Sequence, residues 1–299
     1  MDSLLLIPSC LFLGFLVARF ASPPKDMAPA LNWWVIQIAL PAIVLELIPR
    51  LSFNIDLWYL VISQWLVFIG AAIVFQLIGS WLGWSRARIG ALILVCGLGN
   101  TSFIGYPMLE ALRGREGLAF GVVADQLGCF IMLSVGGVLV TAVYGGASTS
   151  ASAVAKKILL FPAFIALIIG LIVGPLGGWP DQIDSILSRI GATLTPLALF
   201  SVGLRLRLSL HKYQLMPVMI GLSWKLLLAP LAILGLGSAF AVSANVLSIA
   251  VLQAAMAPMI SAAILADQND LEPDLANAIL GIGIVMSLFT VTAWHLLLP

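Results

Sequence analysis

The sequence predicts an all-α membrane protein of ten transmembrane helices, laid out as two inverted five-helix repeats. Three observations carry that expectation: a composition with almost no charge, a series of apolar stretches long enough to span a bilayer, and near-constant offsets between the two halves. Of 299 residues, 62% are hydrophobic and 9% charged, against about 25% charged in a soluble domain. The net charge of +1 provides no field to gather nucleic acid, so the expected surroundings are a lipid bilayer. Cys10, Cys96 and Cys129 lie inside apolar segments without metal-like spacing. They read as small buried hydrophobes rather than as a disulfide framework or zinc site, and no metal or cofactor is expected.

Stretches of about 20 apolar residues fall at 3–20, 29–49, 57–83, 88–112, 117–144, 158–177, 186–205, 214–240, 244–266 and 274–298. The first run lacks the basic segment of a signal peptide, because Asp2 precedes it and Arg19 follows it, so it reads as a span with its N-terminus outside. Residues 145–157, GGASTSASAVAKK, form a Gly/Ser/Ala linker between the halves 1–144 and 158–299. With the N-terminus outside, the inner loops hold Arg19, Lys25, Arg86, Arg88, Lys156, Lys157, Arg205, Arg207 and Lys212, and the outer loops Arg50, Arg113, Arg115 and Arg189. Nine cations against four place both termini outside.

The halves match in order. Pro8 of LLIPSCL falls over Pro162 of LLFPAFI (162 − 8 = 154), Pro41 over Pro196 (196 − 41 = 155), and Leu118-Ala119 over Leu275-Ala276 (275 − 118 = 157). Five spans per repeat is an odd number, so the copies lie in opposite orientations. Secondary transporters use that architecture and place substrate near the midplane on discontinuous helices.

The stretch CGLGNTSFIGYP at 96–107 interrupts the fourth span with glycines, a proline and an Asn-Thr-Ser triplet. An offset of 157 carries Asn100-Thr101-Ser102 onto Ala257-Pro258-Met259, inside LQAAMAPMISAAIL of the ninth span. Pro258 lacks an N–H and clashes with the preceding turn, while Gly97, Gly99 and Gly105 admit unwound backbone. Both helices are therefore expected to open roughly 18–20 Å into the membrane, at 1.5 Å per residue. Unwound backbone at that depth is tolerated only beside protein or water, and its freed groups become binding groups. Half-helix N-termini favour an anion and half-helix C-termini a cation. The expected binding set is Asn100, Thr101, Ser102, Gln253, Met256 and Pro258.

Ionisable groups within spans are functional candidates. Lys225 lies about 16 Å from the inner face and Asp125 about 12 Å from the outer, at 1.5 Å per residue, so their depths coincide. They are expected to pair beside the crossover, either structurally or as an ion-coupling pair in which the ammonium stands where a cation would bind or exchanges partners on proton uptake. Glu46, near the outer end of the second span, is expected either to snorkel to water or, as the lesser alternative, to serve function, and Glu110 and Asp267 are expected to sit at ends of the broken helices. His211 and His295 read as interface residues.

NTSFIGYPML at 100–109, TPLALFSVGLRL at 195–206, LQAAMAPMISAAILA at 252–266 and LANAILGIGI at 275–284 resemble the auxin efflux carrier family, across essentially the whole chain. Bacterial members of that family are described as malate or malonate permeases. The resemblance implies the fold of bile acid:sodium symporters, with spans 1, 2, 6 and 7 as a panel domain and spans 3–5 and 8–10 as a core domain containing crossed spans 4 and 9. It also implies elevator-type alternating access in a cell inner membrane, with a possible homodimer among the assemblies. Where the family often carries paired prolines at the second break, Ala257 precedes a single Pro258 here. The short linker replaces the long loop of plant carriers, which favours a solute carrier over a hormone exporter.

The function expected is a secondary transporter of a small organic anion, a carboxylate, with proton, sodium or no coupling. The alternative is a membrane sensor binding the same solute without moving it. An intramembrane enzyme is disfavoured, since no G-x-S-x-G motif, mid-span histidine or aspartate dyad occurs.

Overall fold

The computed structural model describes residues 2–51, 55–146, 150–206 and 208–298. Arg207 of the charge count and positions 147–149 of the linker lie outside them. The described chain is helical: α1 (Asp2–Phe20), α2 (Met27–Arg50), α3 (Ile55–Trp81), α4 (Arg86–Gly97), α5 (Gly105–Gly145), α6 (Ala151–Leu159), α7 (Pro162–Leu176), α8 (Asp181–Arg205), α9 (Lys212–Ala239), α10 (Ala244–Ala254), α11 (Ile260–Gln268) and α12 (Pro273–Leu297). Among the described residues, six helices are long and apolar enough to cross a membrane, or seven if the bent pair α6 and α7 is one span. The protein is thus an all-helical, multi-pass membrane protein, and the ten-span layout is consistent with its helices.

Two local features differ from the expectation. The linker is helical in its second half, because Ala151–Leu159 is rich in alanine and lysine, both good helix formers; it meets α7 at a 59° bend. No loop separates the fourth and fifth spans, either. The chain turns at one residue, Gly114, with φ 68° and ψ −167°, a conformation that only glycine adopts without strain.

The chain divides into two compact units. The first comprises Met1–Asn54, Ser102–Val122 and Lys156–Leu206. Its helices meet through small residues, as apolar surroundings demand when lipid is no worse a neighbour than leucine. A Cβ on Gly14 would strike the Phe200 carbonyl and one on Gly203 the Leu11 carbonyl, so α1 and α8 touch backbone to backbone. Gly170 and Gly174 of α7 likewise receive Ile48 and Pro49 of α2. In this unit Glu46 does not reach water. It is 2% exposed and ion-paired with Arg115, whose guanidinium also holds Glu110 at 3.0 Å. The turn at Gly114 sets Arg115 where both carboxylates can share it.

The second unit comprises Ile55–Thr101, Val123–Ala155 and Arg207–Pro299. Its core joins Phe68, Phe75, Leu92, Leu94, Leu226 and Ile279, among others. Ser85 caps α4 by accepting the Arg88 N–H at 3.1 Å, an N-cap bond of the usual kind. The same hydroxyl donates to Glu272 at 3.0 Å, and Glu272 pairs with Arg88 at 3.0 Å. These contacts tie the start of α4 to the start of α12.

Candidate functional site at the crossing of two broken helices

α4 ends at Gly97 and α10 at Ala254, separated by the offset expected between the halves (254 − 97 = 157). Beyond those ends the two unwound segments run antiparallel and pair. Gly99 faces Pro258 in an isolated bridge, the Asn100 N–H donates to the Ala257 carbonyl at 2.7 Å, and the Met259 N–H donates to the Leu98 carbonyl at 3.1 Å. Each segment thus satisfies backbone groups that the broken helix of the other leaves free, as burial requires.

The two bonds exchange under an offset of 159 (258 − 99 = 159) rather than the 157 taken from the sequence. Only Leu98 precedes Gly99 after α4, whereas residues 255–257 precede Pro258 after α10. That extra length slides the second segment along the first and puts Pro258, not Met256, opposite Gly99.

Side chains from the flanking helices close around the bridge. Lys225 is fully buried and its Nζ donates to the Ala254 carbonyl at 2.9 Å. Its ammonium therefore caps the C-terminal, electronegative end of α10. A Cβ added to Gly99 would lie 3.0 Å from that Nζ, so glycine there makes room for the charge. Asp125, 2% exposed, accepts the Thr101 hydroxyl at one oxygen and the Gln126 amide at the other, the latter at 2.8 Å. Gln253 reaches the Thr101 carbonyl at 3.4 Å. Lys225 thus holds a backbone carbonyl of the second segment, and Asp125 holds Thr101 of the first.

Of the other expected binding residues, Asn100, Thr101, Gln253, Met256 and Pro258 are all buried at or beside the bridge. Ser102 is half-buried and begins the first unit's second segment, its carbonyl accepting the Tyr106 N–H at 3.2 Å.

Both charged side chains stand on π-helical turns, Ala124–Cys129 in α5 and Trp224–Leu228 in α9. A π turn inserts a residue and loosens the carbonyl ladder. In each case an indole answers: Trp65 donates to the Leu127 carbonyl at 3.3 Å and Trp294 to the Leu226 carbonyl at 2.9 Å. Sequence reasoning missed both tryptophans and also Cys129, whose Sγ donates to the Gly99 carbonyl at 3.2 Å. Its spacing of four from Asp125 was the available signal. Pro258 is wedged against α12, where a Cβ on Gly283 would come within 2.5 Å of the proline ring.

Comparison with known proteins identifies the family of the chain. The profile of the family described as "Membrane transport protein" matches residues 1–295. The chain belongs to that family. The motifs that resemble auxin efflux carriers fall within it. Similar members include an uncharacterized transporter of Methanothermobacter thermautotrophicus, 26% identical over 99% of this chain and 98% of its own. Another is the uncharacterized transporter MJ1031 of Methanocaldococcus jannaschii, 25% identical over 98% and 97%. The uncharacterized transporter YfdV of Escherichia coli is 24% identical over 95% and 93%. The match covers nearly the whole chain, and this chain is a membrane transporter of that family.

Proposed function

We propose that the protein is a secondary active transporter of a small organic anion, a carboxylate, which it binds at the crossing of α4 and α10. The observation that carries this reading is the Lys225 ammonium, fully buried at the bridge and held by the Ala254 carbonyl. It supplies fixed positive charge at the point where a carrier's broken helices meet, and it occupies the electronegative helix end that would otherwise suit a metal cation. The N-terminus of α11, which follows Met259, adds donors of the same sign. Asn100, Thr101, Gln253, Met256 and Pro258 line the site, with Ser102 next in the chain. Asp125, held by Thr101, balances Lys225 when no anion is bound.

Alternating access in this reading is elevator-like: the core helices that carry the crossing slide relative to the panel helices. Asn100, Thr101 and Gln253 are buried, so in this reading substrate entry requires the segment 98–101 to become accessible. The protein sits in the cell inner membrane with both termini outside.

Uptake of labelled mono- and dicarboxylates and of auxin into proteoliposomes, with and without a sodium or proton gradient, tests the proposal. Saturable carboxylate uptake driven by one of these gradients is expected. Saturable binding with no uptake under any gradient would make the protein a sensor and overturn it.

A further inference from the structure

The second unit carries an open groove between α3 and α5, apart from the residues assigned to transport. Its volume is about 580 Å³, inside the roughly 300–1,000 Å³ range of organic-ligand sites. Phe68, Ile73 and Leu77 of α3 face Leu139 and Val140 of α5 across it, with the buried Ile93 of α4 at the floor. Glycine at 136 lets the Phe68 ring lie against the α5 backbone, since a Cβ there would come within 2.6 Å of that ring. Ile73, Leu77 and Leu139 are exposed, so the groove opens toward the bilayer hydrocarbon.

One end of the groove is polar. There the Tyr144 hydroxyl donates to Gln76 Oε1 at 2.5 Å, and Gln76 Nε2 donates to Ser80 at 3.2 Å. The Arg86 guanidinium lies over the Tyr144 ring, 5.9 Å from its centroid, and donates to the carbonyl of Val143, another wall residue. This end lies close to where α3 and α5 finish, at Trp81 and Gly145. Trp81 is 84% exposed, as aromatic residues are at the edge of the hydrocarbon.

The apolar part has the depth of one leaflet. From Phe68 to Gln76 (76 − 68 = 8) and from Gly136 to Tyr144 (144 − 136 = 8) the helices rise about 12 Å, at 1.5 Å per residue. One leaflet contributes about 15 Å of hydrocarbon, half of a core about 30 Å thick. The guanidinium above it has donors to spare. Arg86 is exposed and has no carboxylate partner among the described residues, whereas Arg88 is paired with Glu272. Of five guanidinium N–H groups, the Val143 carbonyl takes one, and the planar fork suits the oxygens of a phosphate.

We infer that this groove is a binding site for a phospholipid of the surrounding bilayer, with one acyl chain along α3 and α5 and the phosphate on Arg86. An apolar tail of single-leaflet length followed by an anionic oxygen head is the order of chemistry that the wall presents. The site lies within the second unit and does not depend on what the crossing carries.

The test adds trace phosphatidylglycerol with a diazirine at mid-chain to the full chain in detergent micelles, and maps the adducts after irradiation by peptide mass spectrometry. A diacylglycerol with the same labelled chain, which lacks the phosphate, is the comparison. Phosphatidylglycerol adducts are expected to concentrate on Ile69, Ile73 and Leu139 and to saturate, with several-fold fewer from the diacylglycerol. Arg86→Gln is expected to lower groove labelling several-fold. Ala72→Phe, which fills the groove and leaves Arg86 in place, is expected to do the same; if either variant loses the wild-type unfolding midpoint, the other is read. Adducts spread evenly over the lipid-facing helices, equal labelling by the diacylglycerol or unchanged labelling in a folded variant overturns the inference. So does labelling that vanishes as protein concentration rises, which would assign this face to a second copy of the chain.

Discussion

Residues 98–104 and 255–259 each leave the helix, their starts 157 residues apart, yet they are built from different materials. The first segment has glycine and polar side chains at its centre, 99–102: Gly99 gives way to Lys225, Thr101 donates to Asp125, and its carbonyls take Cys129 and Gln253. The second is alanine, methionine and one proline, and it is held by packing, with the Pro258 ring against Gly283. Each contributes one backbone bond to the bridge. The difference teaches that one break supplies the polar contacts and the other supplies the rigid edge against which those contacts are registered.

That contrast can be broken from either side. The largest effect on folding is expected on the packed side. In Gly283→Val even the Cβ falls 2.5 Å from a proline ring that cannot rotate away, and such overpacking costs about 3 kcal/mol. Thermal unfolding in nanodiscs should show it, with transport lost alongside. On the polar side, Thr101→Val removes the hydroxyl that Asp125 accepts and should cost about 2 kcal/mol, as for other hydrogen bonds to a charged group.

The two π turns offer a finer comparison. Trp294→Phe and Trp65→Phe each delete one indole bond to a loosened carbonyl, at about 1 kcal/mol each. Because these turns carry Lys225 and Asp125, the sharper readout is transport: Trp294→Phe should alter anion affinity more than Trp65→Phe does. Equal effects would mean that the lysine turn has no special part in binding. A comparable stability change belongs to Gly99→Ala. Its Cβ would lie 3.0 Å from the buried Lys225 Nζ and 3.4 Å from the Gln253 carbonyl, so about 1 kcal/mol is expected from shifting the ammonium on the Ala254 carbonyl, at the low end of overpacking.

Much of this was legible in the sequence because bilayer physics restricts what a chain can do. Gly and Pro at mid-span in CGLGNTSFIGYP and AAMAPMIS located both breaks, and periodic apolar length located the helices. Register at the bridge was not legible, because an offset read from leucine-rich helices says nothing about how many residues each break spends before the crossing. The partners of Lys225 were hidden for a related reason: its acceptor is a backbone carbonyl, which every residue has. Glu46 misled by position, since a carboxylate near a helix end normally reaches water. Here the single-residue turn at Gly114 brings Arg115 to it instead. π turns leave no compositional mark, so the roles of Trp65 and Trp294 needed coordinates.

The central claim is that the crossing of α4 and α10 carries the substrate. Asn100→Leu tests it most directly, since it removes a polar side chain at the bridge while keeping the backbone N–H that bonds to Ala257. Initial rates of gradient-driven carboxylate uptake should be compared in proteoliposomes at matched protein content and matched unfolding midpoints. The account predicts uptake reduced to background in the variant. Uptake at the wild-type rate, with unchanged affinity, would contradict it and move the site away from the crossing.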